Sequence, residues 1–148
     1  MKLSTRARYG LRAIVDLATY YNTKPVMLKD IAKRENISLK YLEQIMIKLT
    51  GAGIVQGIRG LKGGFVLSKP ANEITLYEII KALEGSLSPV GCLDQPKLCK
   101  KFNDCVTKFV WQKLKNAIYD VLNSITLEDI VQQKKEKIFK NKSIEYFI

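Results

Sequence analysis

The sequence predicts a mainly α-helical fold with one small β-hairpin, and three observations lead to it. Apolar residues recur with i, i+3, i+4, i+7 spacing in three segments of the first half, which places them on one face of a helix. Two short β-branched or aromatic runs flank a glycine-rich turn at residues 60–64, as in a hairpin. A longer helical pattern begins near residue 105, after a segment rich in turn residues.

The three regular segments predict the main helices of the amino-terminal half. A short helix at residues 28–35 lies between the first two and has no strong N-cap. Ser38 can cap the second regular helix, and Thr75 with Glu78 forms a capping-box pattern before the third. The predicted core stripes are Leu11, Ile14, Val15 and Ala18; Leu42, Ile45, Met46 and Leu49; and Leu76, Ile79, Ile80 and Leu83.

Helix, short helix, turn, helix and hairpin is the order of a winged helix-turn-helix, which we predict for residues 1–85. Asn36 suits the turn, and strands are expected at residues 54–59 and 65–68, joined by glycines that permit positive φ. Residues 86–105 are predicted to form a long loop that carries the cysteines, and a loop of this length suggests a functional role.

The carboxy-terminal part predicts a long helix and a second helix within residues 105–134. Thr126 and Asp129 indicate a cap for the second helix, which is expected to run to about Lys134. The basic tail at residues 135–148 could be either frayed or docked. The first helix carries an apolar seam suited to packing on another helix, including one from a second copy: Trp111, Leu114, Ile118, Val121 and Ile125.

The charge distribution favours a polyanionic partner. The 148 residues carry a net charge of +11, and residues 1–69 hold 13 basic against 4 acidic residues, which indicates that this half meets a nucleic acid. Histidine is absent, which removes Ser-His-Asp and Cys-His catalysis and His-rich zinc sites, so we predict no enzyme. No apolar stretch is long enough for a membrane helix, and arginines interrupt any signal peptide, so a cytoplasmic protein is expected.

The outward face of the helix that begins after Ser38 predicts the DNA contacts. Its side chains suit base edges and phosphates in a major groove. The alternative interpretation of this face is that it is polar only because it is solvated. Arg59 on the hairpin can enter a narrow minor groove, unless the hairpin is an ordinary basic turn. Arg6 and Arg8 would add phosphate contacts. The predicted DNA-binding residues are Lys2, Ser38, Lys40, Tyr41, Gln44, Lys48, Arg59 and Lys62.

The predicted loop contains all three cysteines of the chain, Cys92, Cys99 and Cys105, in a stretch of 14 residues. Their spacing is neither that of a ferredoxin nor that of a zinc ribbon, and an odd count argues against a closed disulfide set. Nearby lysines would stabilise thiolates, the form that ligates iron or reacts with oxidants: Lys97, Lys100, Lys101 and Lys108. Metal ligands, buried structural thiols and a metal-free redox switch all remain open.

Several motifs resemble the Rrf2 family of bacterial transcription regulators, over residues 1 to about 134. They are Lys2-Leu3-Ser4, Arg8-Tyr9-Gly10, Ile31-Ala32, the run from Ile37 to Gln44, and Arg59-Gly60-x-x-Gly63-Gly64. The resemblance implies a homodimer that binds a partly palindromic operator in double-stranded DNA, with a dimerisation helix that matches Cys105–Ser124. The chain most resembles the members of the family that bear an iron–sulfur cluster. In those members, three cysteines that match Cys92, Cys99 and Cys105 hold the cluster, so the resemblance implies a cluster here of either 2Fe–2S or 4Fe–4S type.

The chain departs from these relatives at the fourth ligand position. The histidine that completes the set in iron–sulfur-cluster regulators is Lys108 here, and the carboxylate used by nitric-oxide-sensing relatives is Arg8. Asp94, Asp104, solvent or a small thiol remain as candidates, so we expect a labile cluster.

The expected function is that of a repressor that senses iron–sulfur cluster status, with cluster occupancy ordering residues 91–105 and thereby shifting DNA affinity. The resemblance implies cluster-assembly genes as targets. The first alternative is a cluster-free repressor of the same family that senses thiol redox state or cysteine metabolism. The second is a cluster carrier or scaffold, which would show no sequence-specific duplex binding.

Overall fold

A computed structural model describes residues 1–147, including the backbone but not the side chain of the last of them, and Ile148 lies outside this range. Within this range, six α-helices and a two-stranded antiparallel hairpin follow one another in the predicted order, which confirms the fold class. Their bounds are α1 Thr5–Tyr20, α2 Leu28–Glu35, α3 Leu39–Gly51, β1 Val55–Ile58, β2 Gly64–Leu67, α4 Leu76–Glu84, α5 Lys108–Asn123 and α6 Leu127–Phe147.

The core lies where α1, α3 and α4 meet, and the predicted stripes form most of it. Every member of the stripes on α3 and α4 is buried, as are Ile14 and Val15 of α1. Gly10 permits the close approach of α1 to α4, because a Cβ added there would lie 2.5 Å from Leu83 Cδ1. Helix α6 returns to this core with Leu127 and Val131, so the core of the amino-terminal half includes an element from the far end of the chain.

Local signals at the helix ends are mostly confirmed. Ser38 Oγ accepts the backbone N–H of Tyr41 at 3.2 Å, and Asn36 takes the left-handed conformation (φ 53°) that ends α2. Thr75 Oγ1 accepts the N–H of Glu78. The Glu78 carboxylate instead pairs with Lys69 Nζ at 3.0 Å, so that capping box is only half formed.

Two predicted helix bounds are wrong. Helix α5 begins at Lys108 rather than Cys105, because Cys105 is extended (φ −77°, ψ 113°) and closes a 3₁₀ turn at Phe102–Asp104. Helix α6 continues past Lys134 to Phe147. No glycine or proline interrupts it, so nothing local ends the helix. The tail predicted as frayed or docked is therefore helical through residue 147.

A backbone pairing that the sequence did not predict ties the hairpin to the helices. Val26, in the α1–α2 connection, pairs with Phe65 of β2 through two hydrogen bonds of 2.9 and 2.8 Å. A second bridge joins the starts of α4 and α6, where Leu76 N–H donates to the Ile125 carbonyl and Leu127 N–H to the Ile74 carbonyl. The first bridge fixes the hairpin against the α1–α2 connection, and the second fixes the start of α6 against the start of α4.

Candidate nucleic-acid interface and cysteine segment

Helix α3 has a buried face and an exposed polar face, as its sequence predicts. Leu42, Ile45, Met46 and Leu49 are at most 2% exposed, whereas Lys40, Gln44 and Lys48 are exposed. Ser38, which caps the helix, and Lys40 in its first turn are both exposed, so the start of the helix lies at the protein surface. The arrangement offers two ammonium groups and one amide, which together can reach phosphates and base edges.

Tyr41 is half-buried and is held by an aromatic contact that links α3 to α1. Its ring meets the Tyr9 ring edge-on, with 6.2 Å between centroids. The Arg12 guanidinium lies over Tyr9 at 5.3 Å and donates to the Glu35 carbonyl at 2.6 Å. Tyr41 is therefore oriented by its neighbours, and Arg12 stabilises the end of α2.

A buried ion pair sets the relation between α1 and α2. Within the described residues, Asp16 is the only fully buried charged side chain, and Arg34 Nη2 donates to its Oδ1 at 2.7 Å. This hydrogen bond raises the pKa of the Arg34 guanidinium above its ordinary value. Lys134 of α6 joins from the other side, 3.7 Å from Asp16 and 3.8 Å from Glu35.

Sequence reasoning missed this network, although one signal was present. Asp16 lies between Val15 and Leu17, both of which are buried. A charge among core residues requires a partner, but the sequence does not say which cation supplies it.

The hairpin presents two cations at a tight tip. Arg59 and Lys62 are both exposed, and Gly63 N–H donates to the Gly60 carbonyl at 3.0 Å. A Cβ on Gly63 would lie 2.2 Å from the Ile58 carbonyl oxygen, so this position requires glycine. Between the two cations, Leu61 is fully exposed.

The amino-terminal arm is tied to the end of α4. Ser4 caps α1 through the N–H of Ala7, and its own N–H donates to Glu84 Oε1 at 2.5 Å. The structure gives Arg6 an internal contact, because its Nε donates to the Leu83 carbonyl at 2.8 Å. Lys2 is exposed and lines an apolar cavity of about 560 Å³ between residues 86–89 and α5.

The cysteine segment, residues 86–107, contains three 3₁₀ turns, and Asp94 links it to α5. The Asp94 carboxylate accepts from the hydroxyls of Ser86 and Ser88 and lies 3.4 Å from Lys115 Nζ. These contacts lower the Asp94 pKa, the Ser86 bond contributing most. Asp94, a candidate for the fourth ligand, is thus engaged in holding the segment in place.

The three cysteines are free and half-buried. Cys105 Sγ lies 3.2 Å from Thr107 Oγ1, and this hydrogen bond is the main cause of a lowered Cys105 pKa. Lys108 adds a smaller electrostatic contribution, while its Nζ lies over the Phe102 ring at 4.3 Å. The sequence predicts that lysines stabilise the thiolates, whereas the hydroxyl of Thr107 contributes most to the lowered pKa of Cys105.

Thiols are suitable donors for iron, but their arrangement here does not fit a complete cluster site. Among residues 1–147, no three cysteine or carboxylate side chains come close enough together to hold a metal ion. The sequence also lacks histidine, and Lys108 offers no acceptor. The segment is therefore a set of accessible thiols without a completed metal site.

The helix-turn-helix, with a basic outward face on its second helix and a hairpin that presents two cations, defines a winged-helix DNA-binding protein. Residues 3–133 match the model of the Rrf2 family, described as an iron-dependent transcriptional regulator. Because the match covers most of the chain, the protein belongs to the Rrf2 family of transcription regulators.

Individual relatives agree with this assignment. The chain is 38% identical over 132 residues to the protein rrf2 of Nitratidesulfovibrio vulgaris, covering 89% of this chain and 88% of that one. The structure of CymR, the global cysteine regulator of B. subtilis, is similar with a TM-score of 0.74, 38% identity and coverage of 90% and 98%. That of T. potens IscR gives a TM-score of 0.73, 39% identity and coverage of 93% and 90%.

None of the helices within residues 1–147 is both long and apolar enough to cross a membrane.

Proposed function

We propose that this family member is a homodimeric repressor that binds a partly palindromic operator in duplex DNA. The observation that carries the proposal is the two-sided character of α3. Its apolar face is fixed in the core, so its polar face is presented in one orientation. Gln44 would read bases, Lys40 and Ser38 would reach bases or phosphates near the helix start, and Tyr41 and Lys48 would bind phosphates.

The hairpin and the amino-terminal arm complete the proposed contacts. Arg59 would enter the minor groove, while Lys62 and Lys2 would bind phosphates. Helix α5 supplies the proposed dimer interface, because none of its residues is buried in the single chain. Phe109, Trp111 and Val121 are among its exposed apolar side chains. Such a surface favours pairing with a second copy.

The DNA-binding proposal is tested by selecting duplexes from a random pool and measuring affinities for the selected operator. Gln44→Ala should lose about 1–3 kcal/mol on the operator and little on scrambled duplexes. Lys62→Ala should weaken binding to all duplexes. In a plot of log affinity against log salt concentration, the slope should become shallower by about 0.9 for each phosphate that is no longer neutralised. Equal losses on every duplex for Gln44→Ala would remove Gln44 from base recognition.

The cysteine segment is the proposed sensor, and iron–sulfur cluster status is the signal we favour. The support is the family description as iron-dependent together with three free thiols on one segment. Cluster binding would require the segment to bring the three thiols together and a ligand from outside the protein to complete the set, because the described residues hold no group of three such donors. The proposed targets are genes for cluster assembly.

A metal-free thiol sensor of redox state or cysteine metabolism is the second candidate. It is supported by the likeness to CymR, a cysteine regulator, and by the lowered pKa of Cys105. Anaerobic reconstitution followed by iron, sulfide and visible-absorbance measurements distinguishes the two. Bound iron and sulfide that are lost in Cys92→Ala support the cluster, whereas a colourless, iron-free protein supports the thiol sensor.

A further inference from the structure

The last part of α6 is the basic part of the carboxy-terminal half. Residues 70–133 hold seven basic and eight acidic residues, whereas residues 134–147 hold five lysines and two glutamates. The family match ends at residue 133, so this basic stretch lies beyond it. It is nevertheless continuous with α6, which reaches Phe147.

Helix α6 brings these lysines beside the helix-turn-helix. Lys134 is fixed between Asp16 and Glu35, which places the following turn next to α1 and the end of α2. A groove of about 360 Å³ opens there, with Leu11, Val15 and Ile130 among its apolar lining residues. Four cations also line it: Arg8, Arg12, Lys134 and Lys137.

The groove is continuous with the proposed DNA-binding surface. Arg12, on its edge, lies over Tyr9, and Tyr9 contacts Tyr41 in the first turn of α3. Arg8 lies on α1 one residue before Tyr9. A duplex that contacts Tyr41 and Arg8 therefore brings its backbone towards the groove.

The cations of this groove differ in whether they are already neutralised. Arg12 and Lys134 share the carboxylate of Glu35. Arg8 and Lys137 are exposed, and no carboxylate within residues 1–147 forms an ion pair with either. Lys140 follows three residues after Lys137, so it lies on the same side of the helix, and it too is exposed and unpaired within that range.

We propose that Lys137 and Lys140, together with Arg8, form a second phosphate-binding site that holds the duplex backbone flanking the operator. The inference rests on the proposed DNA-binding function and extends it, because it gives the helix beyond residue 133 a role in binding. Ammonium groups bind phosphates without regard to base sequence. The site should therefore lengthen the footprint and raise affinity without changing operator preference.

The test compares Lys137→Gln/Lys140→Gln with a control pair, Lys135→Gln/Lys142→Gln, in the full-length protein. Each control lysine is two residues from a test lysine and so lies about 160° around the helix. Lys135 and Lys142 are also exposed, and both double variants change the charge equally. Circular dichroism of both pairs should match that of the wild type.

Binding is measured on the selected operator alone and on the operator extended by about one helical turn, about 10 base pairs, on each side. The wild type and the control pair should bind the extended duplex about tenfold more tightly, and the test pair should show no such gain. The test pair should also reduce the log–log salt slope by about 0.9 for each phosphate left without a lysine partner. Operator preference should be unchanged.

Equal losses in both pairs would mean that only net charge matters and would overturn the site. Unchanged binding by the test pair on both duplexes would also overturn the proposal. That result is the one expected if the groove holds an acidic protein or an RNA instead of the duplex. If instead the wild type fails to distinguish operator from scrambled duplex, the proposed DNA-binding function itself fails.

Discussion

Arg34 on α2 and Asp16 on α1 form a bidentate ion pair, with Nη2–Oδ1 at 2.7 Å and Nε–Oδ2 at 3.0 Å. The carboxylate is fully buried, and the guanidinium side chain is one-third exposed. The guanidinium also lies over the Tyr20 ring at 4.0 Å. A charge buried in this way requires its partner in place, so the pair holds α2 in one position and, through the turn at Asn36, orients α3.

Asp16→Ala should lower the free energy of unfolding by about 2–4 kcal/mol, because Arg34 then keeps a partly buried charge without its carboxylate. Urea unfolding at neutral pH measures the loss. The double variant Asp16→Leu/Arg34→Met should be more stable than Asp16→Ala, since it also removes the partly buried guanidinium, while Lys134 keeps its ion pair with Glu35. A loss below about 0.5 kcal/mol, the size of an ordinary surface substitution, would mean that the pair does not hold the helices.

Gly63→Ala should reduce DNA affinity about tenfold or more, equivalent to about 1.4 kcal/mol. The added methyl group would collide with the Ile58 carbonyl oxygen and displace the hairpin tip that carries Arg59 and Lys62. The measurement is binding to the selected operator. Gly51→Ala is the matched control, because a Cβ at Gly51 meets no atom within 4 Å, and it should bind like the wild type.

Thr107→Val should shift the alkylation of Cys105 towards higher pH. The hydrogen bond with Thr107 is the first cause of the lowered Cys105 pKa, so its removal raises that pKa and leaves less thiolate at a given pH. Iodoacetamide labelling of the metal-free protein from about pH 6 to about pH 10, read by peptide mass spectrometry, gives the midpoint. Thr107→Ser should keep the wild-type profile, and a lower midpoint in Thr107→Val would contradict the assignment.

Asp94→Ala should release the cysteine segment from α5. The carboxylate accepts from Ser86 and Ser88 within the segment and pairs with Lys115 of α5, so its loss removes two internal hydrogen bonds and the ion pair to α5. Trypsin cleavage after Lys97, Lys100 or Lys101 should become severalfold faster, because opening of the segment limits cleavage. Asp104→Ala provides the control for a nearby exposed carboxylate, and equal acceleration by both variants would argue against a specific attachment.

The Asp94 attachment also has a defined pH dependence. Its pKa is lowered in the folded protein, so the stabilisation is present above the ordinary aspartate range and is lost as the pH falls through the lowered value. Wild-type cleavage rates should therefore approach those of Asp94→Ala only in acid, which a protease active at low pH can measure.

Local chemistry alone predicted most of the helices, the caps at Ser38 and Thr75 and the polar face of α3, but not where α5 begins or where α6 ends. Apolar periodicity identifies the side of a helix that enters a core, and a cap such as Ser38 needs only a backbone group three residues away. The hairpin was equally predictable, because its glycines permit backbone conformations that other residues adopt at a cost.

Only the tertiary structure decided which distant groups meet. The sequence shows a charge at Asp16 but does not select Arg34 and Lys134 among 25 cations. It offered Asp94 as a metal ligand, whereas folding engages that carboxylate with two serines and Lys115. Long-range contacts depend on the path of the whole chain. The same is true of the basic end of α6, which lies beside the helix-turn-helix because Leu127 and Val131 enter the core and Lys134 pairs with Asp16 and Glu35.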